Sequence, residues 1–238
     1  MARISVLFPV KGDPLKVALT ICHLASLAAH PSQVEYVLVL DVDDPSYAEW
    51  RYIVTALNIL GHSVFTMRGS SAGYENLQKL YLDGLELARG QYILFLNDDV
   101  RTISHRWDDL YCQASDKKGY SVAAAYLKEA PTEPGGSEGT YPWAFPFMRR
   151  ELAGILKQVD IGTAPLDRIM QAYVEITDRG VQAQVGWLHT RSHMIEGTPR
   201  KAYTDNIVSH RDSYRAKWRE IGQRIADAVQ AKLATEKI

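Results

Sequence analysis

Residues 84–99 read Gly84-Leu-Glu-Leu-Ala-Arg-Gly-Gln-Tyr-Ile-Leu-Phe-Leu-Asn-Asp-Asp99, and this stretch decides the fold class. Its first part closes a helix expected over Tyr74 to Ala88, with Arg89-Gly90 as the stop signal. The strand expected over Gln91 to Leu96 is then apolar at every position from Tyr92 on. Such a strand needs cover on both faces, as in a parallel sheet between helices. It ends on Asn97, Asp98 and Asp99, at the edge where open parallel sheets bind ligands.

The flanking sequence repeats the pattern. Ile4 to Val10 reads as a buried strand stopped by Gly12-Asp13-Pro14, and Leu15 to Ala29 as a helix. A second strand, Glu35 to Asp41, precedes a helix over Tyr47 to Leu60, and Ser63 to Met67 is a third strand. Downstream the order is looser. Ser121 to Tyr126 reads as a strand, and Lys128 to Pro146 as a long Gly- and Pro-rich loop suited to a mobile active-site element. Helices are expected over Met148 to Leu156 and Leu166 to Arg179, a strand over Val181 to Leu188, and a last amphipathic helix from Ser209 to Lys232. The alternation predicts an α/β protein with a mostly parallel central sheet.

Composition sets the outer bounds. A chain of 238 residues, 46% hydrophobic, can bury a sizeable core in one domain. With 27 basic and 28 acidic residues, no overall field demands nucleic acid or a membrane surface. The apolar runs are strand-sized, so no transmembrane segment is expected, and the opening run is too short for a signal peptide. Cys22 and Cys112 make neither a disulfide framework nor a zinc site. The expectation is a soluble, cytoplasmic protein.

The strand ends carry the chemistry. Asp41, Asp43 and Asp44 follow the second strand, as Asn97, Asp98 and Asp99 follow the fourth. Carboxylates gathered at one edge repel unless a cation or a donor-rich ligand lies between them. Hard oxygen ligands suit Mg²⁺ or Mn²⁺, ions that commonly bridge protein to a diphosphate. For Asp44 the plainer alternative is turn formation, since Asp-Asp-Pro-Ser is good turn chemistry.

The stretch from Gly84 to Asp99 resembles the core of inverting glycosyltransferases of the family 2 type, which have the Rossmann-related GT-A fold. There a helix ending Ala-x-Gly leads into an apolar strand delivering a metal-binding Asp-x-Asp. Ile4 to Pro9 resembles the family's first strand with its terminal proline, Ser26-Leu27 a pair in its first helix, and Glu35 to Asp44 its second strand. The resemblance covers about the first 110 residues. It implies a single domain: residues 1–110 hold a nucleotide-sugar donor, 111–208 form the acceptor and catalytic half, and 209–238 add a final helix. It further implies donor contacts at Pro9, Asp41, Asp43, Asn97 and Asp98, with a Mn²⁺ or Mg²⁺ ion on Asp99. The chain departs from the family at Asn97 (usually Asp), at Gly12-Asp13 (usually Asn-Glu) and at Leu82 (often Asn), which leaves the donor, a UDP- or GDP-sugar, open.

In the second half, Leu166-Asp167-Arg168 with Arg179-Gly180 resembles the family's late helix and makes Asp167 the expected catalytic base. A helix N-terminal carboxylate stabilised by the helix dipole is the alternative. A family histidine that completes the metal site corresponds to His193, with His189 as rival. Trp107-Asp108 also has a family counterpart, expected to pack under the site. Trp143, on the Pro-rich loop, either stacks on a ligand or anchors the loop. The acceptor stays open among a saccharide, a lipid-linked glycan, a protein or a modified DNA base.

Two other classes compete. A haloacid-dehalogenase-type phosphatase would use Asp41-Val-Asp43 behind its apolar strand, although a strand and a helix precede that motif. A non-catalytic nucleotide or nucleic-acid binding module would draw on the segment from Leu188 onward, with ten Arg/Lys against six Asp/Glu.

Overall fold

The computed structural model describes residues 2–70, 76–98, 100–129, 145–162, 164–189 and 211–236. Three consecutive β-α units build its first half. β1 (Ile4–Val10) and β2 (Val34–Leu40) are buried at every position, which matches sequences that are apolar except at Ser5 and Glu35. β3 (Ser63–Arg68) lies at the sheet edge and buries only Val64, so polar residues are tolerated between its apolar ones. α1 (Pro14–Leu27) starts with proline in its first turn and Asp13 as N-cap, whose side chain accepts from the Lys16 N–H. α2 (Tyr47–Ile59) and α3 (Leu77–Gly84) follow β2 and β3.

The later elements are β4 (Tyr92–Phe95), β5 (Val100–Thr102), α4 (Trp107–Ser115), β6 (Val122–Glu129), β7 (Phe147–Arg149), α5 (Arg150–Gln158), α6 (Leu166–Thr177), β8 (Gly180–His189) and α7 (Arg211–Thr235). The eight described strands form one sheet in the order β3-β2-β1-β4-β7-β6-β8-β5. β3, β2, β1 and β4 are parallel neighbours, and so are β6 and β8. β7 and β5 are antiparallel to theirs. The expected mostly parallel α/β sheet is therefore present, with two short reversed strands that periodicity missed. One of them is Phe147–Arg149, which takes in Met148 and Arg149, the expected start of a helix. Phe147 stacks on Tyr92 and Tyr111 on one face while Met148 enters the opposite core.

Strand alternation divides the core between the two faces. Val6, Phe8, Tyr36, Leu38 and Leu94 pack with α1, α2 and α4, around Trp50, Trp107 and Trp187. Leu7, Val37, Val39, Ile93 and Phe95 pack with α3 and α5 to α7. Trp107 is wholly buried and donates its indole N–H to Leu24 O at 2.9 Å, the packing role expected of it. Beside it, the buried Asp108 accepts from the N–H groups of Ala29 and His30 at 2.7 and 2.8 Å, tying α4 to the chain leaving α1. The third helix ends at Gly84, short of the expected Ala88. A Cβ on Gly84 would sit 2.8 Å from Val39 Cγ2, so the glycine lets α3 lie close on β2.

At the amino-terminal edge Glu35 is almost fully buried. Its Oε1 accepts from Ser5 Oγ at 2.5 Å, Arg89 N at 2.5 Å and Gly90 N at 3.2 Å, linking β2, β1 and the entry to β4. A Cβ on Gly90 would come within 2.5 Å of Ser5 N, which explains the glycine before the strand. Replacing Glu35 by alanine strands these buried donors. The expected loss is about 2–4 kcal/mol of unfolding free energy, read as a lower urea midpoint at unchanged m-value.

Candidate functional site

The sheet order turns at β1, with β2 on one side and β4 on the other, and such a switch point opens a crevice beyond the strand ends. Arg3 O and Leu7 O both bond to the β4 side, so the odd-numbered residues of β1 face β4. The β1–β4 ladder ends at Leu7 and Phe95. Pro9 is the next residue to face that side, and it brings no N–H where there is no longer a strand to receive one. The proline marks where the two strands part, and the crevice begins there.

Asp41, Asp43, Asp44 and Asp98 stand around this mouth in different states. Asp44 is a structural bracket: its carboxylate accepts from Ser46 N at 2.7 Å, Trp50 Nε1 at 2.8 Å and Gly12 N at 3.1 Å. The turn alternative holds for it. Asp43 is exposed and meets Lys11 Nζ at 2.6 Å, and the same ammonium lies 3.4 Å from the buried Asp41. The hydrogen bond from Lys11 holds the Asp43 carboxyl below the usual range, and its partner raises the Lys11 ammonium in turn. Asp98 is partly exposed and pairs with Lys16 Nζ at 3.2 Å, while its carbonyl accepts from Thr20 Oγ1 at 3.3 Å. Asn97 Oδ1 accepts from the Tyr81 hydroxyl at 2.5 Å, which fixes the variant first position of the acidic motif.

Sequence reasoning missed Lys11 and Lys16. They answer the repulsion noted among the strand-end carboxylates, and the available signal was Lys11-Gly-Asp-Pro-Leu-Lys16 at the β1–α1 turn. Gly12 adopts a left-handed backbone there (φ 72°), which brings its N–H to Asp44.

Asp167 lies in the first turn of α6. That helix returns toward the amino-terminal edge, where Gly180 of β8 pairs with Val122 at the start of β6. Its first turn therefore lies toward the same edge of the sheet as Asp41 and Asp98. The Asp167 side chain is one-third exposed, with Arg168 Nε 3.6 Å away. Desolvation by the surrounding packing raises its pKa above the usual carboxylate range, and Arg168 opposes that shift.

Asp99, His193 and Trp143 lie outside the described residues, as do residues 130–144 of the expected mobile loop. His189 is the last residue of β8, and sheet register sets it opposite Val100, the neighbour of Asp99 in sequence. Among the described residues, no group of three His, Cys, Asp or Glu is arranged to hold a metal ion. Burial pushes the Cys112 thiol up to about 12, which removes it as a nucleophile. Asp41 is 4% exposed and faces Lys11, a poor setting for the attacking carboxylate that the phosphatase reading needs.

No family model and no curated protein sequence matches the chain. Solved structures do match in fold. The structure of S. aureus TarS aligns with a TM-score of 0.59 at 13% identity, over 80% of this chain and 37% of that one. The chain thus spans well under half of that protein. Structures of TarS 1-349 in complex with UDP-GlcNAc and with UDP align with TM-scores of 0.59 and 0.56, at 15% and 14% identity. Each covers 91% of this chain, and 71% and 70% of the TarS fragment. Among the described residues no helix is long and apolar enough to cross a membrane. The chain has a GT-A-like α/β fold.

Proposed function

We propose that the chain transfers a sugar from a nucleoside-diphosphate donor, UDP- or GDP-linked, to an acceptor hydroxyl with inversion. One observation carries the reading: the crevice where β1 and β4 part is ringed by carboxylates and lysines, in a fold shared with a protein crystallised with UDP-GlcNAc and UDP. In this reading, donor hydroxyls and base N–H groups donate to Asp43 and Asp98 in place of the lysines. Lys11 and Lys16, released from their carboxylates, turn toward the diphosphate. Asp167 accepts the proton of the acceptor hydroxyl as it attacks the anomeric carbon, and its raised pKa makes it a stronger base than an ordinary carboxylate. A divalent ion held by Asp99 and His193, or with His189 in place of His193, would supply Lewis-acid stabilisation of the leaving diphosphate.

Donor binding is tested by calorimetry with UDP and GDP, with and without Mn²⁺. Lys16→Met and Asp98→Asn should each weaken binding about 10- to 100-fold, the worth of one charge-assisted hydrogen bond. Asp99→Ala should remove the increment that Mn²⁺ adds. Neither nucleotide binding the wild type in the presence of Mn²⁺ would refute the reading.

Asp167→Asn should spare donor affinity and slow transfer by a factor of about 10²–10⁴. The wild-type rate should fall on acidification at a pH above the ordinary carboxylate range. A carboxyl whose folded pKa is raised binds its proton more tightly folded than unfolded, so ionisation at neutral pH costs stability. The asparagine variant should therefore melt at the same temperature as wild type or higher. Near wild-type transfer, or a lower melting temperature with lost donor affinity, would remove Asp167 from this role.

A further inference from the structure

α6 and α7 run side by side and make close contact at Gly222, where a Cβ would come within 3.0 Å of Ala172 Cβ and Tyr173 N. On the N-terminal side of that contact they bound a groove of about 620 Å³, a volume suited to a small ligand. The facing stripes, spaced i, i+3, i+4 and i+7 on each helix, carry charged or amide side chains at three positions and alanine (Ala172, Ala216) at the fourth, where packed helices are normally apolar throughout. α6 contributes Arg168, Gln171 and Glu175, and α7 contributes Asp212, Arg215 and Arg219.

Two features set this groove apart from a solvated seam. Arg215 and Arg219 stand one helical turn apart, where like charges repel, and neither has an ion-pair partner among the described residues. Trp218, also lining the groove, is more than nine-tenths buried, and its indole N–H has no acceptor among the described residues. Buried N–H groups are nearly always satisfied, so an orphan in a groove wall points to a missing acceptor atom. The opposite wall is already ordered: Gln171 Oε1 accepts from Arg168 at 3.3 Å and Gln171 Nε2 donates to Glu175 at 3.0 Å.

We propose that this groove binds an acidic saccharide, a sugar bearing a phosphate or a carboxylate. Resting on the transferase reading above, that saccharide is the acceptor. The arginine pair and the indole N–H take the anionic group. Glu175 and Asp212 accept hydrogen bonds from sugar hydroxyls. Those two carboxylates would repel a continuous phosphodiester backbone, which favours a hydroxyl-rich unit with one anionic group over a nucleic-acid strand. Arg168 joins the groove to chemistry, because its Nε lies 3.6 Å from the carboxylate of Asp167. A sugar seated here would present a hydroxyl beside the proposed base.

The full chain is titrated calorimetrically with glucose 6-phosphate, glucuronate and glucose, and separately with UDP. Binding of one or both anions at least tenfold tighter than glucose is expected, and the tighter anion names the source of the charge. Arg215→Ala with Arg219→Ala should weaken that binding tenfold or more, with UDP affinity and melting temperature unchanged. Trp218→Phe, which keeps the packing and removes the N–H, should weaken it severalfold. The proposal is overturned if glucose binds as well as the anions, if the double variant binds them normally, or if an oligothymidylate binds more tightly through the same arginines. UDP binding without anion binding defeats this proposal alone. Anion binding at the groove without any UDP binding defeats the transferase reading and leaves the groove's ligand class standing.

Discussion

A single buried carboxylate, that of Glu35, sets the frame on which the crevice depends. It gathers a hydroxyl from β1 and two backbone N–H groups from the turn into β4, all from within β2. Burying a carboxylate is costly unless it accepts hydrogen bonds, and three converge on Oε1 here, two of them at 2.5 Å. Parallel strands pinned together at their starts are also aligned at their ends. Asp41 and Asp98 therefore emerge at comparable heights on either side of β1, and the separation of the ladders at Pro9 leaves a gap between them. Gly90 belongs to the same arrangement, because only a residue without a side chain lets the turn approach Ser5.

At the opposite edge the balance is between charges of both signs. Four aspartates converge, but they are not equivalent. Asp44 is spent on the local backbone, Asp41 is buried against Lys11, and Asp43 and Asp98 hold lysines in solvent-accessible pairs. Exposed ion pairs add little stability, typically less than about 1 kcal/mol. Such pairs exchange cheaply for ligand contacts, so the edge is neutralised at rest and stays available to an anionic ligand carrying its own donors.

Much of this was legible in the chain, and the failures have physical causes. Strands buried on both faces write continuous apolar runs, so β1, β2 and β4 and the acidic residues after them were readable. The three-residue strands β5 and β7 are too short to write a period, and β7 was absorbed into the helix beginning at Arg150. α4 had no legible start, because its N-cap, Arg106, is a left-handed residue without a capping side chain. Asp44 and Asp43 look alike in sequence, and only the third dimension separates the bracket from the exposed member. The lysines escaped attention because a basic residue near a helix start usually faces solvent, whereas these two turn inward over the strand ends.

The division of the core has a consequence for how substitutions combine. The cluster beneath α1, α2 and α4 and the cluster beneath α3 and α5 to α7 lie on opposite faces of one sheet and share no side chain. A methyl group removed from Ile21 and another from Ile169 open voids that no common neighbour can relax into, so their energetic effects should sum with little coupling. The sheet acts as a partition. Sequence drift in the layer that carries the α6–α7 groove can proceed without compensating changes in the layer that begins at Lys16, and the two faces can diversify independently.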